Sequence, residues 1–245
     1  MISWTHLDTA PVPGGGGELR LGRRGAEFSI VLGQSELMNS RLSGSEEALA
    51  TMSLARLRNR ERPNVLIGGL GMGFTLRAAL AELGPHARII VAELVSAVVA
   101  WARGPMAEIF GDSLDDPRLT LIEADVGGLI RSARSTYDAI LLDVDNGPEG
   151  LTREANDSLY DMAGLSAARA ALRPGGVFAV WSSASNRPFT ERLRKTGFVV
   201  EELRVRANGS GGGARHVIWV ATHQSAPQSR PTRCAERAAP TRKSK

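Results

Sequence analysis

Val65-Leu66-Ile67-Gly68-Gly69-Leu70-Gly71-Met72-Gly73-Phe74 is the stretch that decides how this chain folds. A β-branched run breaks into alternating glycines and then into a helical pattern over Phe74–Leu83. Glycine lets the backbone turn sharply and approach a ligand with no Cβ in the way. The amino end of the next helix adds free N–H groups and the positive end of its dipole. The spacing is G-x-G-x-G, with Phe74 where a G-x-G-x-x-G dinucleotide fingerprint places its third glycine. That favours an adenosyl-sulfonium nucleoside, held at Gly69, Gly71 and Gly73, over a nicotinamide cofactor. A tight strand–helix turn with no ligand is the plainer alternative.

Outward from this loop, strand and helix patterns alternate. Strand-like runs fall at Asn64–Gly68, Arg88–Glu93, Leu119–Glu123, Tyr137–Asp143, Val177–Trp181, Val199–Val205 and His216–Ala221. Helical patterns fall at Phe74–Leu83, from Ser96 through Trp101, and at Val126–Ala133, Ser158–Leu172 and Phe189–Thr196. Such alternation predicts a mostly parallel seven-stranded sheet with helices on both faces. The last two runs have only a loop between them, which predicts a terminal antiparallel hairpin. This is the Rossmann-like architecture of class I methyltransferases.

Carboxylates stand where three of the strands end. Glu93 closes the second, where it can accept from vicinal ribose hydroxyls; a solvated strand-end acid is the alternative. Asp125, followed by Val126, comes after the third and can accept from an adenine amine, cap the next helix, or do both. Asp143 ends the fourth, in Asp143-Val144-Asp145-Asn146-Gly147-Pro148. Together with the glycine turn they mark the sheet edge where open α/β folds bind ligands. Trp101, Trp181 and Trp219 are core or pocket residues, and their strand and helix positions favour the core.

The 245 residues suit one large α/β domain. Residues 1–60 read as an N-terminal extension: a glycine run at Gly14–Gly17, a β-hairpin from Glu18–Leu21 and Glu27–Leu32, and a helix from Ser45. Residues 61–223 read as the nucleoside-binding domain, and 224–245 as a disordered tail without periodicity. The formal net charge is +4. Six basic residues and one acid lie between Arg230 and Lys245, so the rest of the chain is at −1. The basicity belongs to the tail, and without aromatic interleaving a nucleic-acid partner is not expected. The one cysteine, Cys234, excludes an intrachain disulfide and a thiolate metal cluster; no metal is expected. No leader or membrane-length apolar run is visible, which points to a cytoplasmic protein.

From about Glu18 to His223 the chain resembles the spermidine synthase (polyamine aminopropyltransferase) family. The resemblance rests on Gly69-Leu70-Gly71-Met72-Gly73 with Leu76-Arg77, on Glu93, Asp116-Pro117-Arg118 and Asp125. It continues through Tyr137-Asp138-Ala139-Ile140, Asp143, Gly147-Pro148, Leu159-Tyr160 and Leu172-Arg173-Pro174-Gly175-Gly176. It implies that Glu93 binds ribose, that Asp125 binds adenine, and that Asp143 is the proton-accepting aspartate, with Asp145 beside it. It also implies an amine-binding region drawing on Glu36, Glu46, Glu47 and Tyr160; a plain helix start is the alternative for the Glu46-Glu47 pair.

The acceptor half departs from the family. Met72 replaces an acidic residue in the glycine loop. Ser45-Glu46-Glu47 stands for Tyr-His-Glu, and the loop after Asp143 is contracted. The resemblance therefore implies S-adenosylmethionine or its decarboxylated form as donor, a small amine or other small acceptor, and a homodimer as one option. Aminopropyl transfer leads. Methyl transfer to a small molecule and non-catalytic nucleoside binding are its rivals.

Overall fold

The structure is a computed structural model that describes residues 2–144, 158–208 and 213–224. Asp145 and the basic tail lie outside the described residues.

The N-terminal part departs from the expected hairpin. Strands β1 (Thr5–Pro11), β2 (Glu18–Arg24), β3 (Glu27–Leu32) and β4 (Ser35–Asn39) form an antiparallel four-stranded sheet in sequence order. The hairpin is there as β2 and β3, with a strand added on each side. Sequence patterning misses β1 because only Ala10 in it is buried, so no apolar alternation marks it. β4 is only five residues long. Leu19, Leu21, Phe28 and Ile30 carry the buried face of this sheet into the main core.

Helix α1 (Gly44–Leu54) packs against α2 (Phe74–Glu82) and over the large sheet that follows. That sheet contains β5 (Asn64–Gly68), β6 (Arg88–Glu93), β7 (Leu119–Glu123), β8 (Tyr137–Leu142), β9 (Leu172–Ser182), β10 (Phe198–Arg206) and β11 (Arg215–His223). Its order is β10-β11-β9-β8-β5-β6-β7. β5 to β9 pair in parallel, whereas β11 is antiparallel to both β9 and β10. The sheet grows from β5 outward to β7 and then restarts at β8 on the other side of β5. That reversal makes a switch point between β5 and β8.

Alternation along the strands sorts the core into two layers. Val65, Ile67, Ile89, Val91, Leu141 and Ile218 face α1, α2 and α3 (Ser96–Arg103). A short helix, α4 (Ala107–Phe110), sits on that side. Leu66, Ile140, Phe178 and Trp219 face α5 (Val126–Ser132), α6 (Met162–Ala171) and α7 (Arg187–Lys195). Trp101 and Trp219 are core residues as expected, the former donating its Nε1–H to Asp8 Oδ2 at 2.7 Å. Among the described residues no helix is long and apolar enough to cross a membrane.

Two of the stretches that carry the resemblance serve the frame. Asp138 is buried at the amino end of the sheet, accepting from the Asn64 N–H at 2.8 Å and from Arg173 Nη1 at 2.7 Å. Arg118 turns back on Asp116 and also donates to the Leu83 carbonyl, tying the start of β7 to the end of α2.

Gly69 has a φ of 90°, and a Cβ there would collide with the Asp143 carbonyl oxygen. The left-handed backbone alone costs a non-glycine residue about 1–3 kcal/mol, and the collision adds to it. Gly69→Ala is expected to lower stability by at least that much in a denaturant titration. Gly84→Ala, where a Cβ meets nothing within 4 Å, is expected to stay near wild type.

Candidate active site

The glycine turn, β6, the β7–α5 junction and the end of β8 meet at one sheet edge. Backbone hydrogen bonds fix them there: Gly69 N–H donates to the Ala92 carbonyl and Asp143 N–H to the Gly68 carbonyl, each at 2.9 Å. Ala124 N–H donates to the Glu93 carbonyl at 2.9 Å. Two adjoining hollows open above this edge, sharing Leu37, Met38, Gly71 and Asp143 in their walls.

The larger hollow holds most of the residues expected at a nucleoside: Gly69, Gly71, Glu93, Asp125 and Val126. Glu93 is buried, and its two carboxylate oxygens accept from the Leu70 and Val95 N–H groups at 2.8 Å each. Burial pushes its carboxyl up, against the pull of those amides. A carboxylate has about four lone-pair sites, so Glu93 can shape the turn and still accept from a diol. Asp125 takes the helix-cap role left open by the sequence. Its oxygens accept from the Gly127 and Gly128 N–H groups at 3.0 and 3.1 Å, and Arg131 lies 3.1 Å away. Its side chain remains half-exposed on the wall of the hollow.

The glycines divide the labour. At Gly71, a Cβ would sit 3.3 Å from Met38 Sδ, so strand β4 closes down on the loop from above. Gly73, the left-handed residue ahead of α2, lies against the Phe110 ring and not in either hollow. Its placement departs from the expected ligand contact, because the third glycine is needed where α4 crosses the turn.

The smaller hollow is lined by Glu46, Met72, Phe74, Asp143 and Trp181, among others. Two carboxyls thus face one largely apolar space. Asp143 accepts from the Thr75 hydroxyl at 2.6 Å, and the protein packed around it pushes its carboxyl up to about 6. Glu46 accepts from the Ser45 hydroxyl at 2.6 Å. Burial first, and then the charge of Asp143, push the Glu46 carboxyl up to about 7. Like charges in a poorly hydrated space resist joint ionisation. A cation entering the hollow relieves both penalties.

Other acids expected at the acceptor lie elsewhere. Glu36 accepts from Ser29 Oγ and Asn39 Nδ2 at 2.8 Å and faces a separate groove with Arg20 and Val31. The period of two along the strands turns it to the outer face of the small sheet. Glu47, one residue and about 100° around the helix from Glu46, is exposed. Tyr160 is buried in the second core layer, edge-on to Phe189 with ring centroids 5.6 Å apart. Asp145 lies outside the described residues.

Sequence reading missed Thr75 and the Leu37-Met38 roof, and for Trp181 it favoured the core over the pocket. Trp181 packs against the core and also lines the smaller hollow, since it lies next to the last residue of β9, at the same carboxyl edge as the carboxylates. Its position at a strand end was a usable signal. Met38 carried none, because its place depends on how the small sheet docks.

A model of the spermine/spermidine synthase domain matches residues 43–192. A polyamine aminopropyltransferase of Korarchaeum cryptofilum is 33% identical over 136 residues, covering 56% of this chain and 40% of that protein. Polyamine aminopropyltransferase 2 of Pseudomonas aeruginosa is 32% identical over 148 residues, covering 57% of this chain and 40% of that protein. The chain thus spans about two fifths of the length of these curated relatives. In fold it is similar to the spermidine synthase of Thermotoga maritima, with a TM-score of 0.71 at 18% identity over 91% of this chain and 74% of the other. With more than half its length matched by that domain, and with the glycine turn, Glu93, Asp125 and Asp143 gathered at one edge, the chain belongs to the spermine/spermidine synthase family.

Proposed function

We propose that this chain transfers an aminopropyl group from decarboxylated S-adenosylmethionine to a small amine. The observation that carries the proposal is the pair Glu46 and Asp143, two carboxyls facing one small hollow that adjoins the nucleoside cleft. An amine acceptor arrives protonated, since its pKa lies near that of lysine. A site for it needs a proton acceptor and a negative field, and the pair supplies both.

In this reading Gly69 and Gly71 let the nucleoside lie close to the backbone, Glu93 accepts from its ribose and Asp125 from its adenine. Asp143 takes the proton of the attacking amine. Thr75 holds the Asp143 carboxylate in place through their 2.6 Å hydrogen bond. Leu37, Met38 and Trp181 keep water away from the reacting groups. The donor supplies a carbon activated by the adjoining sulfonium.

The same charges discriminate between donors. The carboxylate of S-adenosylmethionine would meet Glu46 and Asp143 as a like charge, whereas the ammonium of the decarboxylated form is attracted. Both transfers displace a thioether from the same kind of sulfonium, so what favours aminopropyl transfer is the pair's fit to a cationic donor tail and a protonated amine acceptor. Ligand-induced thermal shifts are expected to be larger with the decarboxylated donor. A larger shift with S-adenosylmethionine, and a methylated product in mass spectrometry, would replace this reading with the methyltransferase one.

Asp143→Asn is expected to cut transfer by roughly 10²- to 10⁴-fold, the range for a positioned base, with methylthioadenosine binding retained. Unchanged turnover sinks the assignment.

The acceptor's kcat/KM is expected to rise with pH through the window from about 6 to about 7, as the pair gives up its shared proton. Glu46→Gln removes the neighbouring charge and is expected to move that limb to lower pH. Stability runs the other way. Because both folded carboxyls are raised, the native chain keeps protons that the unfolded chain loses first. Unliganded stability is therefore expected to decline as pH rises from about 4 to about 7, and a melting-temperature series checks this.

A further inference from the structure

Behind Glu46, on the side away from Asp143, a second set of polar groups continues into the protein. Ser45 is fully buried, and its Oγ lies 2.6 Å from Glu46 Oε2 and 2.9 Å from His216 Nδ1. His216 is half-buried near the start of β11, where it stands on the same face as Ile218 and Val220. The Trp181 ring packs edge-on against the imidazole, with centroids 4.8 Å apart. The imidazole meets Ser45 from α1 and Trp181 from β9, with Val205 across from it on β10, and it reaches Glu46 only through Ser45. Arg204 and Arg206 alternate to the other face of β10. Burial holds the His216 imidazole below its ordinary value, with no charged neighbour contributing, and so favours the neutral ring.

A serine hydroxyl has one proton to give. If Glu46 is ionised, Ser45 donates to it, and His216 must donate from Nδ1 to the Ser45 oxygen. If Glu46 is protonated, it donates to Ser45, and Ser45 in turn donates to a bare Nδ1. The chain therefore has two complementary arrangements, and the protonation of Glu46 is linked to the tautomer of His216.

The proposed reaction gives such a link work to do. An ammonium acceptor and a sulfonium donor become an alkylated ammonium and a neutral thioether: the new N–C bond forms, the C–S bond breaks, and one proton is released per turnover. That proton starts on a carboxyl facing a mostly apolar hollow.

We propose that Ser45 and His216 are positioning residues that drain this proton from the Glu46–Asp143 pair to solvent. Glu46 gives its proton to Ser45 as Ser45 gives its own to His216 Nδ1 and Nε2 releases one to water. The imidazole is neutral before and after the step; it keeps the Nδ1–H form while Glu46 is ionised, and exchange with water returns it to the Nε2–H form once the next turnover has protonated Glu46. The inference rests on the amine-acceptor reading for its purpose, but the link itself is a property of the unliganded chain.

Two measurements test it. His216→Ala and Ser45→Ala are expected to lower kcat by on the order of 10-fold, less than the loss of a group that takes the reacting proton itself. Donor KM should be unchanged, the acid limb of kcat displaced, and the activity of His216→Ala partly restored by added imidazole. Independently of turnover, long-range ¹H–¹⁵N NMR on the unliganded protein reads the tautomer of each of its four histidines, with His216 assigned from its variant. The His216 signal is expected to pass from the Nε2–H to the Nδ1–H form as pH rises through the Glu46 step, and to lose that passage in Glu46→Gln and Ser45→Ala. A single tautomer across the range, or a pH response that survives Glu46→Gln, overturns the relay. So does a wild-type kcat and acid limb in His216→Ala. If no amine is a substrate but the tautomer follows Glu46, the aminopropyl reading fails and the link stands.

Discussion

The end of β5 has to pass beside the end of β8 with almost no space between their backbones. Gly68 and Gly69 make that possible: the Gly68 carbonyl accepts from Asp143 N–H at 2.9 Å, and Gly69 lies where any Cβ would strike the Asp143 carbonyl oxygen. This contact sets the distance between the nucleoside loop and the carboxylate expected to take a proton. It also explains why glycine is required here by the frame before any ligand is considered. Glu93 then reaches across from β6 and gathers the Leu70 and Val95 amides, so the loop is held in shape from the far side.

On this rigid edge the N-terminal elements act as a cover. β4 brings Leu37 and Met38 over Gly71, and α1 brings Glu46 to Asp143. The residues that distinguish the acceptor side from the family pattern lie on these covering elements and on the loop. Met72 removes an acid, and Glu46 puts one back from another direction. The net result is a hollow whose negative charge sits near its walls at Glu46 and Asp143, with apolar groups around it.

The buried carboxyls also connect function with stability. Both are held above their ordinary values by burial, so an ionised pair is a strain that the fold tolerates and that a cationic ligand removes. Ser45 and Thr75 each offer one hydroxyl to one carboxyl, enough to orient the pair without neutralising it.

The first four strands of the large sheet were legible because they are short apolar runs that stop at or just before glycine or a carboxylate, with helical patterns between them. The carboxylates of the sheet edge, where the proposed nucleoside would lie, were legible for the same reason. Glu93, Asp125 and Asp143 all stand where a parallel strand stops, so topology alone brings them together. Trp181 obeys the same rule, although a tryptophan in a strand favours the core when read from sequence alone. The acceptor half was not legible. Glu36, Glu46 and Glu47 look alike in the sequence, yet strand alternation sends Glu36 outward, helical rotation sends Glu47 to solvent, and only Glu46 meets Asp143. Tyr160 is claimed by packing against Phe189. β1 and β4 were hidden because their pairing uses backbone groups and little buried side chain. By itself, then, the chain's local pattern determined the parallel sheet, its closing hairpin and the carboxylates along its edge, since those depend on period and position within single elements. The tertiary structure alone decided which acids share a hollow and what lies behind them, because the docking of one element on another depends on distances that no local spacing records.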